Sequence, residues 1–258
     1  MREVRFIDPA GQTRTGAWTD DGIEYFGERY DPGEVDVLPP VVPTKIVCLA
    51  ANYIEHMRES PRRSVPEDIP ERPELFLKGP NTVAGHEDTI TLPVPGTEHD
   101  GWDDEDAYHI DHEAELGVVI GKQCRNVAEE DAEEVIRGYT ALNDVSNRND
   151  QMVEQNWVRG KAFDGAVPMG PVVASPDLVP DNPRVQLRVN GETRQDSIDD
   201  ELIFSVPEAI AEITAFLTLE PGDVIAMGTT YGVDRLEDGD TVEVEVEGVG
   251  TLRHYVSA

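Results

Sequence analysis

Two hairpins in the last third of the chain constrain its fold more than any other feature. In "RVQLRVNGETRQ", residues 184–195, Val185, Leu187 and Val189 alternate with polar residues and run into Asn190-Gly191. That dipeptide suits a two-residue hairpin turn, whose positions need positive φ. "DTVEVEVEGVGTLRHYV", residues 240–256, repeats the alternation on either side of a glycine-containing turn. A period of two puts one face of each strand on a core and the other in water, which is the habit of antiparallel sheet. Further strand-like stretches are "REVRFI", "GIEYF", "KIVCLA", "ELFLKGP", "AELGVVIG", "TALND" and "DVIAMGT". Strands outnumber helices, so the chain is predicted to be α+β and dominated by antiparallel sheet rather than doubly wound. It contains neither a GxGxxG nor a phosphate-cradling P-loop.

The helices are few. Ser205 and Glu208 form a capping box before an apolar stripe of Val206, Ile210, Ile213 and Leu217. Asn126 and Glu129 predict a second helix through "AEEDAEEVIRGY", with Gly138 as its stop. Asn52 with Glu55 predicts a short one in "NYIEHMRE", which sets His56 and Glu59 on one face. "SNRNDQMVEQNW" also reads as helical. Residues 1–42 form a small N-terminal cap of short strands ending in "LPPVVP", and 43–258 form the main domain. "SPRRSVPEDIPERP" is expected to be a mobile excursion, and "VPGTEHDGWDDEDAYH" a polar acidic loop.

The 53 acidic residues against 21 basic give a net charge of −32, which would repel nucleic acid and anionic membrane. With 38% hydrophobic residues the chain is not disordered, so the acidity reads as a hydrated shell. A high-salt cytoplasm, and hence a halophilic source, would screen it. Two cysteines are too few for a disulfide framework. "MREVRFIDPAGQ" has no apolar leader segment, and no long apolar run follows. A soluble, cytoplasmic protein is expected.

"DHEAELGVVIGK" places Glu113 and Glu115 two apart at the mouth of an apolar strand. Side chains two apart share a face, so these carboxylates repel unless a positive charge sits between them. A hard divalent cation held by oxygens supplies that charge and usually takes a third carboxylate. The plainer alternative is two outward positions of a half-buried strand. Plain roles also exist for a satisfied helix histidine at His56, a solvated Lys161, a surface Gln151, a strand-end Thr229 and a helix-capping Asp144.

Seven blocks in order, "NYIEHMRE", "HEAELGVVIGK", "GYTALNDVSNRNDQ", "GKAFDGAVPMGP", "VNGETRQ", "TLEPGDVIAMGT" and "DGDTVEVEVEGVGTL", resemble the fumarylacetoacetate hydrolase family over residues 45 to 256. The resemblance implies a mixed β-roll or sandwich core with few helices, a homodimer, and a catalytic Mg²⁺, Mn²⁺ or Ca²⁺. It implies Glu113, Glu115 and Asp144 as metal ligands, and His56 with Glu59 as the pair that activates water. Lys161 and Gln151 match catalytic positions, and Thr229, Gly228 and Arg148 substrate positions. Asp164 reads either as a turn former or as a supporting partner of Lys161, and the second is preferred. The implied activity is metal-dependent hydrolysis of a C–C bond in an acylpyruvate- or fumarylacetoacetate-like 2-oxo or 1,3-dicarbonyl acid. Isomerisation of 2-hydroxydienoates from aromatic catabolism, or oxaloacetate decarboxylation, would use the same enolate stabilisation. A rival of another class is a non-catalytic fold with a structural metal. The chain departs from the family pattern at Ala50-Ala51, where Gly-Arg is usual, at Gly165 for Thr, and at Thr230 for Pro. Specificity is therefore expected to shift while the metal ligands stay.

Overall fold

The computed structural model describes residues 1–59, 70–93, 109–198 and 202–258; the side chains of residues 57–59 are not described. Most of the expected proline-rich excursion and of the acidic loop lies outside the described residues. The N-terminal part supplies β1 (Arg2–Ile7), β2 (Thr13–Thr19), β3 (Gly22–Tyr25), β4 (Glu28–Tyr30) and β5 (Asp36–Leu38). Next come β6 (Ile46–Ala50), α1 (Ile54–Glu59), β7 (Glu74–Lys78), β8 (Val83–Ala84), β9 (Thr89–Thr91), β10 (Ile110–Asp111) and β11 (Ala114–Ile120). The middle holds β12 (Ile136–Asn143), β13 (Ser146–Asn147), α2 (Arg148–Val153), α3 (Val158–Lys161) and β14 (Val167–Ala174). The remainder is β15 (Arg184–Val189), β16 (Glu192–Ile198), α4 (Val206–Phe216), β17 (Val224–Thr229), β18 (Thr241–Val246) and β19 (Gly250–Ser257).

Both hairpins form where the alternation places them. Asn190 and Gly191 take φ of 52° and 80°, and β15, β16, β18, β19 and β9 make one sheet. Val185, Leu187, Val242, Val244 and Leu252 on its inner face are buried. A second, 12-stranded sheet runs β4-β3-β2-β1-β14-β12-β11-β17-β6-β7, with β5 on β1 and β8 on β14. Its central strands β11, β12 and β14 pack against the first sheet, and β10 and β13 form a small bridge between segments. The fold is thus α+β with few helices, as expected. The N-terminal strands extend the large sheet, because β1 pairs β14 at Arg2↔Ala174 and Glu3↔Val173.

The capping box on α4 is present: Ser205 accepts from the Glu208 N–H while the Glu208 carboxylate accepts from Ser205 N–H. Two other helix expectations change. Glu129–Val135 is a 3-10 turn with Ala128 at its cap, and Asn126 does not cap it. Like charges at Glu129, Glu130, Glu133 and Glu134 oppose an α-helix there, and the residues from Ile136 onward are claimed by β11 and β14. Gly138 is not a helix stop. It lies in β12, where the Ala174 carbonyl leaves no room for a Cβ. Asn52 does not cap α1 either: its buried amide donates to Phe204 O (3.0 Å) and Met227 O (2.8 Å) and accepts from Phe204 N (2.8 Å). Among the described residues no helix is long and apolar enough to cross a membrane.

Candidate active site

Glu113 and Glu115 flank Ala114 at the start of β11, and Asp144 follows the end of β12, the strand paired to it. Antiparallel pairing of Ala114 with Asn143 brings the three carboxylates together, and the Asp144 N–H donates to Glu113 O at 2.8 Å. One oxygen from each of Glu113, Glu115 and Asp144 lies within 4.8 Å of the others. The side chains are 4%, 2% and 1% exposed, which rules out outward positions of a half-buried strand. β11 is buried along its whole length because it lies in the middle of one sheet and beneath the other.

Cations surround this cluster on one side. Lys161, at the end of α3, donates to Glu113 Oε2 (2.7 Å) and Asp144 Oδ2 (2.8 Å). Arg148, at the start of α2, pairs with Glu113 Oε1, with Asp111 Oδ2 (2.7 Å) and with Gln151 Oε1 (3.1 Å). Lys78, the last residue of β7, pairs with the other oxygen of Asp144 and donates to Ala166 O (2.9 Å) and Val145 O (3.3 Å). His56 Nε2 is 3.8 Å from Glu113 Oε1. Among the described residues Arg148, Lys161 and Lys78 thus pair with Asp111, Glu113 and Asp144, and no ion pair reaches Glu115.

Glu115 stands apart from these pairs. Burial pushes its carboxyl up, the charges of Asp144 and Glu113 push it further, and it stands well above the usual carboxylate range. Its Oε2 accepts the Gly228 N–H at 2.6 Å. Burial also pushes the Glu113 carboxyl up, but Arg148, Lys161 and His56 more than reverse this and hold it well below the usual range. Burial works against a charged Lys161, yet Asp144 and Glu113 raise its ammonium above the ordinary value. For Lys78 burial prevails and its value is lowered.

The expected residues do not all come together. Gln151 and Arg148 touch each other at the rim. The Thr229 hydroxyl donates to Ala114 O (2.8 Å) and accepts from Gln195 Nε2 (2.8 Å), so it braces the strand of the two glutamates. Gly228 also serves a glutamate. Its φ is 92°, and a Cβ there would sit 2.9 Å from Asn52 Cβ. Asp164 is not a partner of Lys161: it is exposed and accepts from Asn81 Nδ2 at 2.8 Å, because the chain turns outward before Gly165, whose φ is 78°. Asp144 does not cap α2, whose N-cap is Asn147. Glu59 ends α1, and its side chain lies outside the described residues.

Several residues at the site carry no motif of their own. Lys78 and Phe76 share a face of β7, and Lys161 Nζ lies 5.0 Å from the Phe76 ring centroid, with Trp157 edge-on to Phe76 at 5.4 Å. A lysine two residues after a phenylalanine in "ELFLK" was the available signal. Asn143 accepts from Glu113 N at 2.7 Å and donates to His254 Nε2 at 3.0 Å, and both contacts cross between sheets or strands remote in sequence.

Three buried carboxylates with one in need of positive charge form an oxygen donor set suited to a hard divalent cation. Over residues 45–257 the chain matches the fumarylacetoacetate (FAA) hydrolase C-terminal model. Oxaloacetate tautomerase YisK of Bacillus subtilis is 36% identical over 238 residues, which are 88% of this chain and 75% of that protein. A solved 5-carboxymethyl-2-hydroxymuconate delta-isomerase from Mycobacterium smegmatis is 34% identical, with all of this chain and 98% of that one covered and a TM-score of 0.86. Fumarylpyruvate hydrolase from Pseudomonas aeruginosa, solved with Mn²⁺ and pyruvate, is 31% identical, with 86% of this chain and 91% of that one covered and a TM-score of 0.72.

Proposed function

The chain belongs to the fumarylacetoacetate hydrolase family, whose members act on oxo acids, and on that premise we propose that it is a divalent-metal-dependent enzyme that generates and discharges the enolate of a small 2-oxo or 1,3-dicarbonyl acid. The observation that carries this reading is the convergence of Glu113, Glu115 and Asp144 in a buried cluster where burial and the charges of Asp144 and Glu113 hold the Glu115 carboxyl well above its usual range. Bound there, Mg²⁺, Mn²⁺ or Ca²⁺ supplies the charge that stabilises negative charge developing on the substrate's oxygens.

The protein's own groups divide the remaining work. Lys161, charged and held by two carboxylates, lies beside the cluster and adds positive potential for the enolate. Gln151, held by Arg148 at the rim, orients a substrate carboxylate or water. Burial of the cluster excludes bulk water, which strengthens each of these interactions.

His56 sits beside Glu113 and is the base. Hydrolysis of an acylpyruvate is the first reading. A water oxygen bonds to the acyl carbon as its proton passes to His56. The C–C bond then breaks with its electron pair going to the 2-oxo fragment, which takes up a proton to become the free 2-oxo acid. The second reading is keto–enol interconversion of a 2-oxo diacid, favoured by the similarity to the tautomerase and isomerase. There His56 takes a proton from carbon as the carbonyl oxygen gains one from solvent, or the reverse, and no C–C bond breaks.

Both readings are expected of a cytoplasmic homodimer in high salt, which light scattering in molar KCl checks for assembly. The deciding experiment offers acetylpyruvate and oxaloacetate to the protein in molar KCl with Mg²⁺ or Mn²⁺, followed by NMR. Pyruvate and acetate from acetylpyruvate establish hydrolysis, whereas faster enol decay of oxaloacetate without new carbon fragments establishes tautomerisation. Chelation should abolish either while the fold persists. A chelated protein that unfolds, or a loaded one inert toward both acids, defeats the proposal in favour of a structural metal.

A further inference from the structure

Gln195 lies on β16, in the sheet opposite the carboxylates, and is fully buried. Its Oε1 accepts from the Ala114 N–H at 3.0 Å and faces His112 Nδ1 at 3.1 Å. Its Nε2 donates to Thr229 Oγ1 at 2.8 Å and to Thr230 O at 3.2 Å. A primary amide has two donor hydrogens and two acceptor positions, and this one uses all of them. Ala114 N–H and Thr230 C=O have fixed polarity, so the amide can face only one way. His112 therefore donates from Nδ1.

The place it occupies is where the sheet fails to hold itself. β11 and β17 pair regularly from Val119↔Val224 to Gly117↔Ala226, and then the register shifts before Glu115↔Thr229. Such a bulge re-aims the side chains beside it and leaves backbone groups without ladder partners. Ala114, between the two glutamates, finds its partners elsewhere: its N–H goes to Gln195 and its carbonyl to the Thr229 hydroxyl, which Gln195 also holds.

We propose that Gln195 is a positioning residue that locks the bulge, fixing Glu113-Ala114-Glu115 against Thr229-Thr230 so that the carboxylates are preset for a divalent cation. This rests on the metal-binding reading above. None of the hydrogen bonds of its side chain goes to a carboxylate of the cluster. Supporting groups of this kind typically change metal affinity about 10–100-fold when altered.

The test is Mn²⁺ titration, read by the EPR signal of free ion, on the wild type, Gln195→Glu, Gln195→Asn and Val185→Ala. Val185 is buried in the same hairpin and has none of these hydrogen bonds. The expected result is Mn²⁺ binding weakened by about 10–100-fold in folded Gln195→Glu and Gln195→Asn, with Val185→Ala binding as the wild type does. Folded Gln195 variants that bind as tightly as the wild type overturn the inference and leave the metal reading standing. Equal weakening by Val185→Ala also overturns it, since general loosening of the hairpin would then suffice. A wild type that binds no Mn²⁺ overturns both. If neither Gln195 variant folds, amide exchange in the wild type decides: Ala114 should exchange only through global unfolding, and rapid exchange refutes the lock.

Discussion

His254 on β19 is fully buried, and its Nε2 accepts from Asn143 Nδ2 at 3.0 Å, while Asn143 Oδ1 holds the Glu113 N–H. Burial pushes this imidazole down from 6.5 to about 4, outweighing a backbone hydrogen bond at Tyr255 that raises it, with a further push down from His112. The folded state therefore keeps His254 neutral where the unfolded chain already binds a proton. Above pH 6.5 both states are neutral and the site contributes its full stability. As the pH falls from 6.5 toward 4 the unfolded state gains the proton first, so stability is lost. The loss reaches about 3 kcal/mol when the difference is fully expressed, at about 1.4 kcal/mol for each tenfold change in acidity. Protonation at Nε2 would also set two donors face to face and turn the Asn143 amide away from Glu113.

Urea unfolding of the wild type and His254→Gln, at constant molar KCl from pH 7.5 to pH 4.5, isolates this effect. The surface carboxylates titrate alike in both proteins and cancel in the difference. The wild type should be the more stable at pH 7.5, and its advantage should shrink by about 2–3 kcal/mol at the acid end. A stability difference that stays constant across this range would refute the argument.

Lys161→Met should lower kcat about 10²–10³-fold, measured by steady-state assay on whichever acid proves to be the substrate, because no other described ammonium touches both Glu113 and Asp144. Gly228→Ala forces a side chain into φ 92° against Asn52 and should cost about 1–3 kcal/mol in thermal unfolding, with weaker Mn²⁺ binding as Glu115 loses its N–H donor. Raising KCl from about 0.1 M to about 2 M shortens the Debye length from about 10 Å to under 3 Å, so calorimetry should record a Tm higher by several degrees for a chain of net charge −32.

The sequence by itself determined the elements whose signals are local. Alternation fixed β15, β18 and β19, Asn190-Gly191 fixed a turn and with it the return strand β16, and Ser205 with Glu208 fixed the start of α4, since each depends on neighbours within a few residues. The ordered blocks also named the three carboxylates that do converge. Only the tertiary structure decided what each polar group is for. Asn52, read as a helix cap, is taken by Phe204 and Met227; Gly138, read as a helix stop, is the close approach of β14; Asp164 turns outward to Asn81. Lys78, Asn143, Gln195 and His254 reach the site from strands far apart in the chain. The physical reason is burial. Once β11 lies inside one sheet and beneath the other, every donor, acceptor and charge on it must find a partner away from water, and which partner is within reach depends on how the sheets pack.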